Sequence, residues 1–265
     1  MRNFNRYILL LPFVLFAASG CLKVEEENMD PAEELVTLSF EAVMEDNHTK
    51  TALSGSLEDA YRNLTWLPTD TIAIATSSNY STYYKFSNVN TEPSEVGNFI
   101  GEAPLHDTYY SVYPYSAVSS WWDYGRQLNI HVPVKQVYAE NTFATDMNPM
   151  VARAPRTEVL QFKNLCGLLA VSLTGNDVVK SITLAAYDAS GALASIAGSF
   201  RVNMDYEDSV GPELAAESGG DGRQKSAPCM IQMDCGDGVQ LSETATSFHF
   251  VPFVEVLRQK YAMQL

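Results

Sequence analysis

Apolar residues recur at every second position in one segment after another, and that period confines the chain to half-buried strands. In LVTLSFEAVM, Val36, Leu38, Phe40 and Ala42 face one way, and Thr37, Ser39 and Glu41 the other. Ile72 and Ile74 repeat the pattern in DTIAIA, as do Leu128, Ile130, Val132 and Val134 in LNIHVPV. Leu169, Val171 and Leu173 alternate with Ala170 and Ser172, and KSITLAA, SFRVNM and TSFHFVPF continue the series. Long helical periodicity is missing; the best helical candidate is the short SLEDAYRNL. Turn signals separate the runs, among them Leu53-Ser54-Gly55-Ser56, Thr174-Gly175-Asn176-Asp177, Ser190-Gly191 and GGDGRQKS. Many short strands punctuated in this way predict an all-β protein of antiparallel β-sandwiches.

The opening MRNFNRYILLLPFVLFAASGCLKVEEENMD does not fit that pattern. Arg2 and Arg6 precede an apolar block from Tyr7 to Ala18, followed by Ser19, Gly20 and Cys21. The block is shorter than the roughly 20 residues a spanning helix needs. A basic start, a short apolar centre and small residues before a cut predict a secretory signal peptide over residues 1–20. Cys21 directly after the small residues resembles a bacterial lipobox, where cleavage frees a cysteine that carries acyl chains such as palmitate. Residues 21–34 then read as an acidic tether, and Glu25-Glu26-Glu27 resembles the export signal of surface-exposed lipoproteins in Bacteroidetes. No later apolar run approaches spanning length, so attachment to the membrane is expected through lipid.

The remainder is long enough for two domains. A boundary is expected near Ala154-Pro155-Arg156, giving an N-terminal domain over 35–156 and a C-terminal one over 157–265. Formal net charge is −15, from 17 basic against 32 acidic residues, which disfavours a nucleic acid as partner because phosphates need cations. Beyond Cys21 three cysteines remain, an odd number that argues against a disulfide framework. If PCMIQMDC is one strand, Cys229 and Cys235 lie about 20 Å apart, too far to bridge.

No catalytic constellation stands out: HExxH, a phosphate-binding glycine loop, an EF-hand ladder and GxSxG are all missing. The chain is therefore expected not to be an enzyme, and neither metal nor cofactor is expected. His131 and His249 fall on strand faces opposite their apolar neighbours and are expected to be exposed. CGDGVQLS reads as a turn between strands. The aromatic run TYYSVYPYSAVSSWWDYG has two readings. Tyr109, Tyr110, Trp121, Trp122 and Tyr124 either form a platform that stacks on sugar rings, or are packed strand residues, which β-propensity favours. Asp70-Thr71-Ile72 and Asp208-Ser209-Val210 resemble short O-glycosylation acceptor sites of Bacteroidetes.

Several further segments gain meaning from their order. Lys50-Thr51-Ala52-Leu53-Ser54-Gly55 precedes Leu64-Thr65-Trp66 and Asp70-Thr71-Ile72-Ala73-Ile74. Next come Asn98-Phe99-Ile100-Gly101-Glu102, Tyr113-Pro114-Tyr115 and Asn148-Pro149-Met150-Val151-Ala152. Phe162-Lys163-Asn164-Leu165-Cys166-Gly167, Val179-Lys180-Ser181-Ile182, Leu241-Ser242 and Phe248-His249-Phe250-Val251 complete the series. This order, from about residue 35 to 251, resembles the fimbrillin family of Bacteroidetes, the lipoprotein precursors of pilus subunits.

The resemblance implies two transthyretin-like β-sandwich domains and a place on the cell outer membrane and in a fimbrium, with a role in adhesion. It also implies assembly by donor-strand exchange, in which the first strand is removed and a strand from another pilin-like subunit fills the groove. Here that strand is Leu35–Met44, with Val36, Leu38, Phe40 and Ala42 as its apolar face. Lys50 stands where processed members of the family carry arginine. The chain stops at VPFVEVLRQKYAMQL where relatives continue into further strands, so a truncated second domain with an open sheet edge is expected. A surface lipoprotein that binds a host or other glycan ligand without polymerising is the alternative to a pilus subunit.

Overall fold

The computed structural model describes residues 33–44, 64–78, 81–123, 125–187, 190–207, 212–216, 228–253 and 262–264. The first strands are β1 (Leu35–Met44), β2 (Thr71–Thr76), β3 (Tyr83–Asn88), β4 (Gly97–Pro104), β5 (Thr108–Tyr113) and β6 (Val118–Trp122). They are followed by β7 (Gln127–Val132), β8 (Lys135–Ala139), β9 (Thr142–Phe143), β10 (Met150–Pro155), β11 (Leu160–Asn164) and β12 (Leu169–Leu173). The last are β13 (Val178–Tyr187), β14 (Gly198–Asn203), β15 (Glu213–Ala216), β16 (Met230–Gln240), β17 (Thr246–Phe250) and β18 (Ala262–Gln264). The protein is all-β; among the described residues the helical element is a single 3-10 turn, Tyr115–Ala117, and no helix is long and apolar enough to cross a membrane. The helical candidate SLEDAYRNL falls, up to residue 63, outside the described residues.

Seven strands close on themselves in the order β1-β11-β10-β5-β2-β3-β4, with β4 paired to β1. The closure is incomplete along β1, whose edge toward β11 is paired only at Ala42, Val43 and Met44. Its interior is packed by Phe40, Trp66, Ile72, Ile74, Phe86, Phe99, Tyr109, Tyr113 and Phe162. The wall β2–β5–β10 is covered on both faces. Ile72, Ile74, Tyr109, Tyr113 and Met150 point into the barrel, while Ala73, Ala75, Tyr110, Val112 and Val151 belong to a second core.

That second core lies among the remaining sheets: β18-β13-β16-β8-β9, β15-β14-β7-β6 and the pair β12-β17. Leu128, Ile130 and Val132 of β7 are fully buried there, with Phe200, Val202, Leu184, Ile231, Phe248 and Phe250. Strand pairing crosses residue 156: β7 pairs with β14, and β8 runs parallel to β16. Residues 34–265 form one compact unit.

Three local expectations are corrected. CGDGVQLS is not a turn, because its first six residues are the end of β16. Between the pairs Val179↔Val239 and Ser181↔Asp234 the ladder shifts, so residues 235–238 loop out opposite Lys180. Gly236 (φ 58°) and Gly238 (φ 112°) supply the left-handed backbone that this bulge requires. His249 is buried, not exposed: Ser247, Phe248, His249 and Phe250 are all buried, so β17 is covered on both faces. His131 is exposed as expected. Residues 262–264, beyond TSFHFVPF, the last alternating run in the sequence, pair as β18 with Ala185–Tyr187.

Candidate strand-acceptor site

The first strand is built into the barrel by its alternate residues. Thr37, Ser39 and Glu41 are exposed; Val36 and Leu38 are half-buried, and Phe40 and Ala42 are 4% and 0% exposed. Along one edge β1 pairs antiparallel with β4 from Leu35↔Pro104 to Ala42↔Gly97. Along the other it runs parallel to β11, but only at Ala42↔Leu160, Val43↔Gln161 and Met44↔Phe162. The strand is thus paired on one edge over Leu35–Glu41, on both edges at Ala42, and on the other edge alone at Val43 and Met44.

Aromatic rings shape the floor beneath it. Phe40 meets Tyr109 edge-on, with ring centroids 4.9 Å apart, and Phe86 at 5.5 Å. Each such pair adds about 0.5–1.5 kcal/mol to the burial of the ring itself. Trp66 touches Phe99, Phe162 and Tyr113 at 5.0, 5.2 and 5.3 Å, and its Nε1–H donates to the carbonyl of Ala42 at 2.9 Å. Two glycines on β4 leave room for these rings. A Cβ on Gly97 would lie 2.8 Å from Cγ of Trp66, and one on Gly101 2.7 Å from Cγ of Phe86.

Trp66 is itself held from below. Its backbone exchanges two hydrogen bonds with Ser94, and the turn that follows it closes on Asp70. Asp70 is 1% exposed and accepts from the Leu67 amide at 2.7 Å and the Tyr113 hydroxyl at 3.0 Å. Burial raises its carboxyl to about 6; the bonds from Leu67 and Tyr113 oppose that rise, and Asp146 adds to it. Asp146 is raised by its own burial, partly offset by Lys85, and the Tyr113 hydroxyl is pushed well above its ordinary range by burial first, then by Asp70. A buried acid therefore sits under the floor of the β1 groove, linked to the strand through Tyr113 and Trp66.

The other predicted residues are distributed as follows. Cys21 and Lys50 lie outside the described residues, as do Tyr124 and the side chain of Trp122. Tyr109, Tyr110 and Trp121 are 0%, 6% and 3% exposed, so their ring faces pack in the protein and are closed to a sugar. Their burial follows from the two-sided wall, since consecutive β5 residues enter different cores. Asp70 is committed to interior hydrogen bonds and Thr71 begins β2, while Asp208-Ser209-Val210 lies outside the described residues. Cys166, Cys229 and Cys235 are free, and burial drives the Cys166 thiol far above its ordinary range, away from the reactive thiolate.

Sequence reasoning identified Leu35–Met44 but missed the residues that receive it. Trp66, Gly97, Gly101 and Asp70 carry no individual signal of this role. The G-x-F-x-G spacing of Gly97, Phe99 and Gly101 is the trace that was available, because glycine inside a strand marks close approach. Compared with known proteins, the chain matches no family model, no curated protein and no solved structure.

Proposed function

We propose that the protein is a fimbrillin-like surface lipoprotein, a shaft, tip or accessory subunit of a pilus that contributes to adhesion. In this reading Cys21 carries the lipid that holds it at the outer membrane, and β1 gives way to a strand of another subunit. The closed sheet is then the N-terminal of two transthyretin-like sandwiches, and the remaining sheets form the C-terminal one. One observation carries the reading. The first described strand completes the barrel through an alternating face, is bonded along most of its length on one side only, and lies over an aromatic floor. Such a strand is separable from the body, and the groove it fills supplies both free main-chain groups and side-chain pockets, the two requirements of strand addition.

The test is proteolytic conversion. Purified protein treated with trypsin is expected to lose the segment containing β1 and then to take up an added Leu35–Met44 peptide, which carries no Lys or Arg, in a complex that resists SDS. Quantitative loss of β1 with no such complex, at peptide concentrations that drive association, contradicts strand exchange by this route.

A further inference from the structure

The groove under β1 is not a uniform apolar slot, and its shape constrains what else fits. Resting on the strand-exchange reading above, we infer that it selects for a strand bearing a branched apolar residue, an aromatic and a small residue at alternate positions, with the small one beneath Trp66.

The position of Ala42 sets the strictest limit. Ala42 is fully buried, with Gly97 on one side and Leu160 on the other. The space over Gly97 is already filled by the indole, which approaches so closely that not even a Cβ fits there. A larger side chain at position 42 must displace Trp66 and break its bond to the strand carbonyl. Position 40 is the converse: Phe40 spans the gap between Phe86 and Tyr109, and a smaller residue leaves a void between those rings. At position 38 the partner is Gly101, over which Phe86 lies, and the half-exposed Leu38 has room for branched residues of similar size. A slip of two residues would drive Phe40 against Gly97 or Gly101 and into a ring that already covers it, so the same features fix register.

The chain itself is discriminated by these rules. After residue 20, Leu38–Ala42 is the one place where Val, Leu, Ile or Met stands two residues before an aromatic and Ala or Gly two residues after it. In TSFHFVPF, the other phenylalanine-rich alternating strand, Pro252 falls where Ala42 would lie if Phe248 and Phe250 took the places of Leu38 and Phe40. Proline there is bulkier than alanine and donates no ladder hydrogen bond. The occupant is therefore a strand of another polypeptide that repeats the β1 pattern, not the β17 strand of a second copy.

A protease recognition sequence inserted after Glu45 in the full-length protein, then cut, leaves β1 in place but free to leave. Fluorescent peptides are added, and their uptake is followed by anisotropy. The Leu35–Met44 peptide is expected to enter, as is its Glu41→Gln variant, which changes only the exposed face. Peptides with Ala42→Leu or Phe40→Ala, and the Thr246–Phe253 peptide, are expected to enter about tenfold less or worse. Equal uptake of the Ala42→Leu and parent peptides overturns the selectivity. Failure of the parent peptide to enter overturns the strand-exchange reading, and the inference with it.

Discussion

Trp66 donates its indole hydrogen to the carbonyl of Ala42 at 2.9 Å, joining the barrel floor to the first strand. The bond is buried, and the two residues are 24 positions apart in the chain. A buried carbonyl deprived of its donor costs about 1–3 kcal/mol. Trp66→Phe keeps a ring among Phe99, Tyr113 and Phe162 but removes the donor. It should lower the unfolding free energy by an amount in that range, seen as a lower urea midpoint with little change in m-value. A midpoint equal to the parent's means that the bond does not hold β1.

The interior face of β1 predicts a sharp asymmetry between neighbouring positions. Phe40→Asp places a carboxylate between Phe86 and Tyr109, where an unpaired charge costs several kcal/mol. Ser39→Asp, one residue away on the exposed face, should shift stability by no more than about 0.5 kcal/mol. Thermal denaturation of the two variants reads the difference directly; similar melting temperatures would show that β1 is not packed as described.

Asp70 makes stability depend on pH. Burial, helped by Asp146 and opposed by the hydrogen bonds from Leu67 and Tyr113, raises its folded-state carboxyl from 3.8 to about 6, and Lys85 faces Asp146. An acid raised in the folded state binds protons more tightly there than in the unfolded chain. Its contribution is therefore fully present below about pH 4 and is lost as pH rises through about 6. Asp70→Asn removes the ionisation, so the variant should gain on the parent by on the order of 2–3 kcal/mol between pH 4 and pH 6. Urea melts at pH 4, 5, 6 and 7 measure this, and parallel pH profiles for variant and parent would contradict it.

What the sequence disclosed and what it hid follow from the range of the interactions involved. The β1 strand was legible because Val36, Leu38, Phe40 and Ala42 alternate with exposed polar residues, a signal contained within ten residues. The burial of His249 was not, since β17 is covered on both faces, which its alternation does not announce. Tyr109 and Tyr110 both sit in cores, which no alternation announces, because β5 is a wall between two packed layers. Gly236 and Gly238 carry the residue chemistry of a turn, and only the pairing of β13 with β16 shows that they make a bulge. The division near 156 marked a change in composition, whereas β7 and β8 pair with strands from the other side of it. The acceptor site was invisible for the same reason. Trp66, Gly97 and Gly101 have meaning only against a strand more than twenty residues before them.

The separability of β1 is the account's central claim, and hydrogen exchange of the intact protein, read by mass spectrometry, tests it most directly. The wall strands β2, β5 and β10 are packed on both faces, whereas β1 buries two side chains fully and is paired along most of its length on one edge only. Local opening requires less free energy than global unfolding where fewer buried contacts are broken. Amides of residues 35–44 are therefore predicted to exchange together, as a unit, at a rate well above that of β2, β5 and β10 and with little sensitivity to denaturant. Exchange of β1 at the same rate as those strands, and with the same denaturant dependence, would show that it leaves only when the whole barrel unfolds.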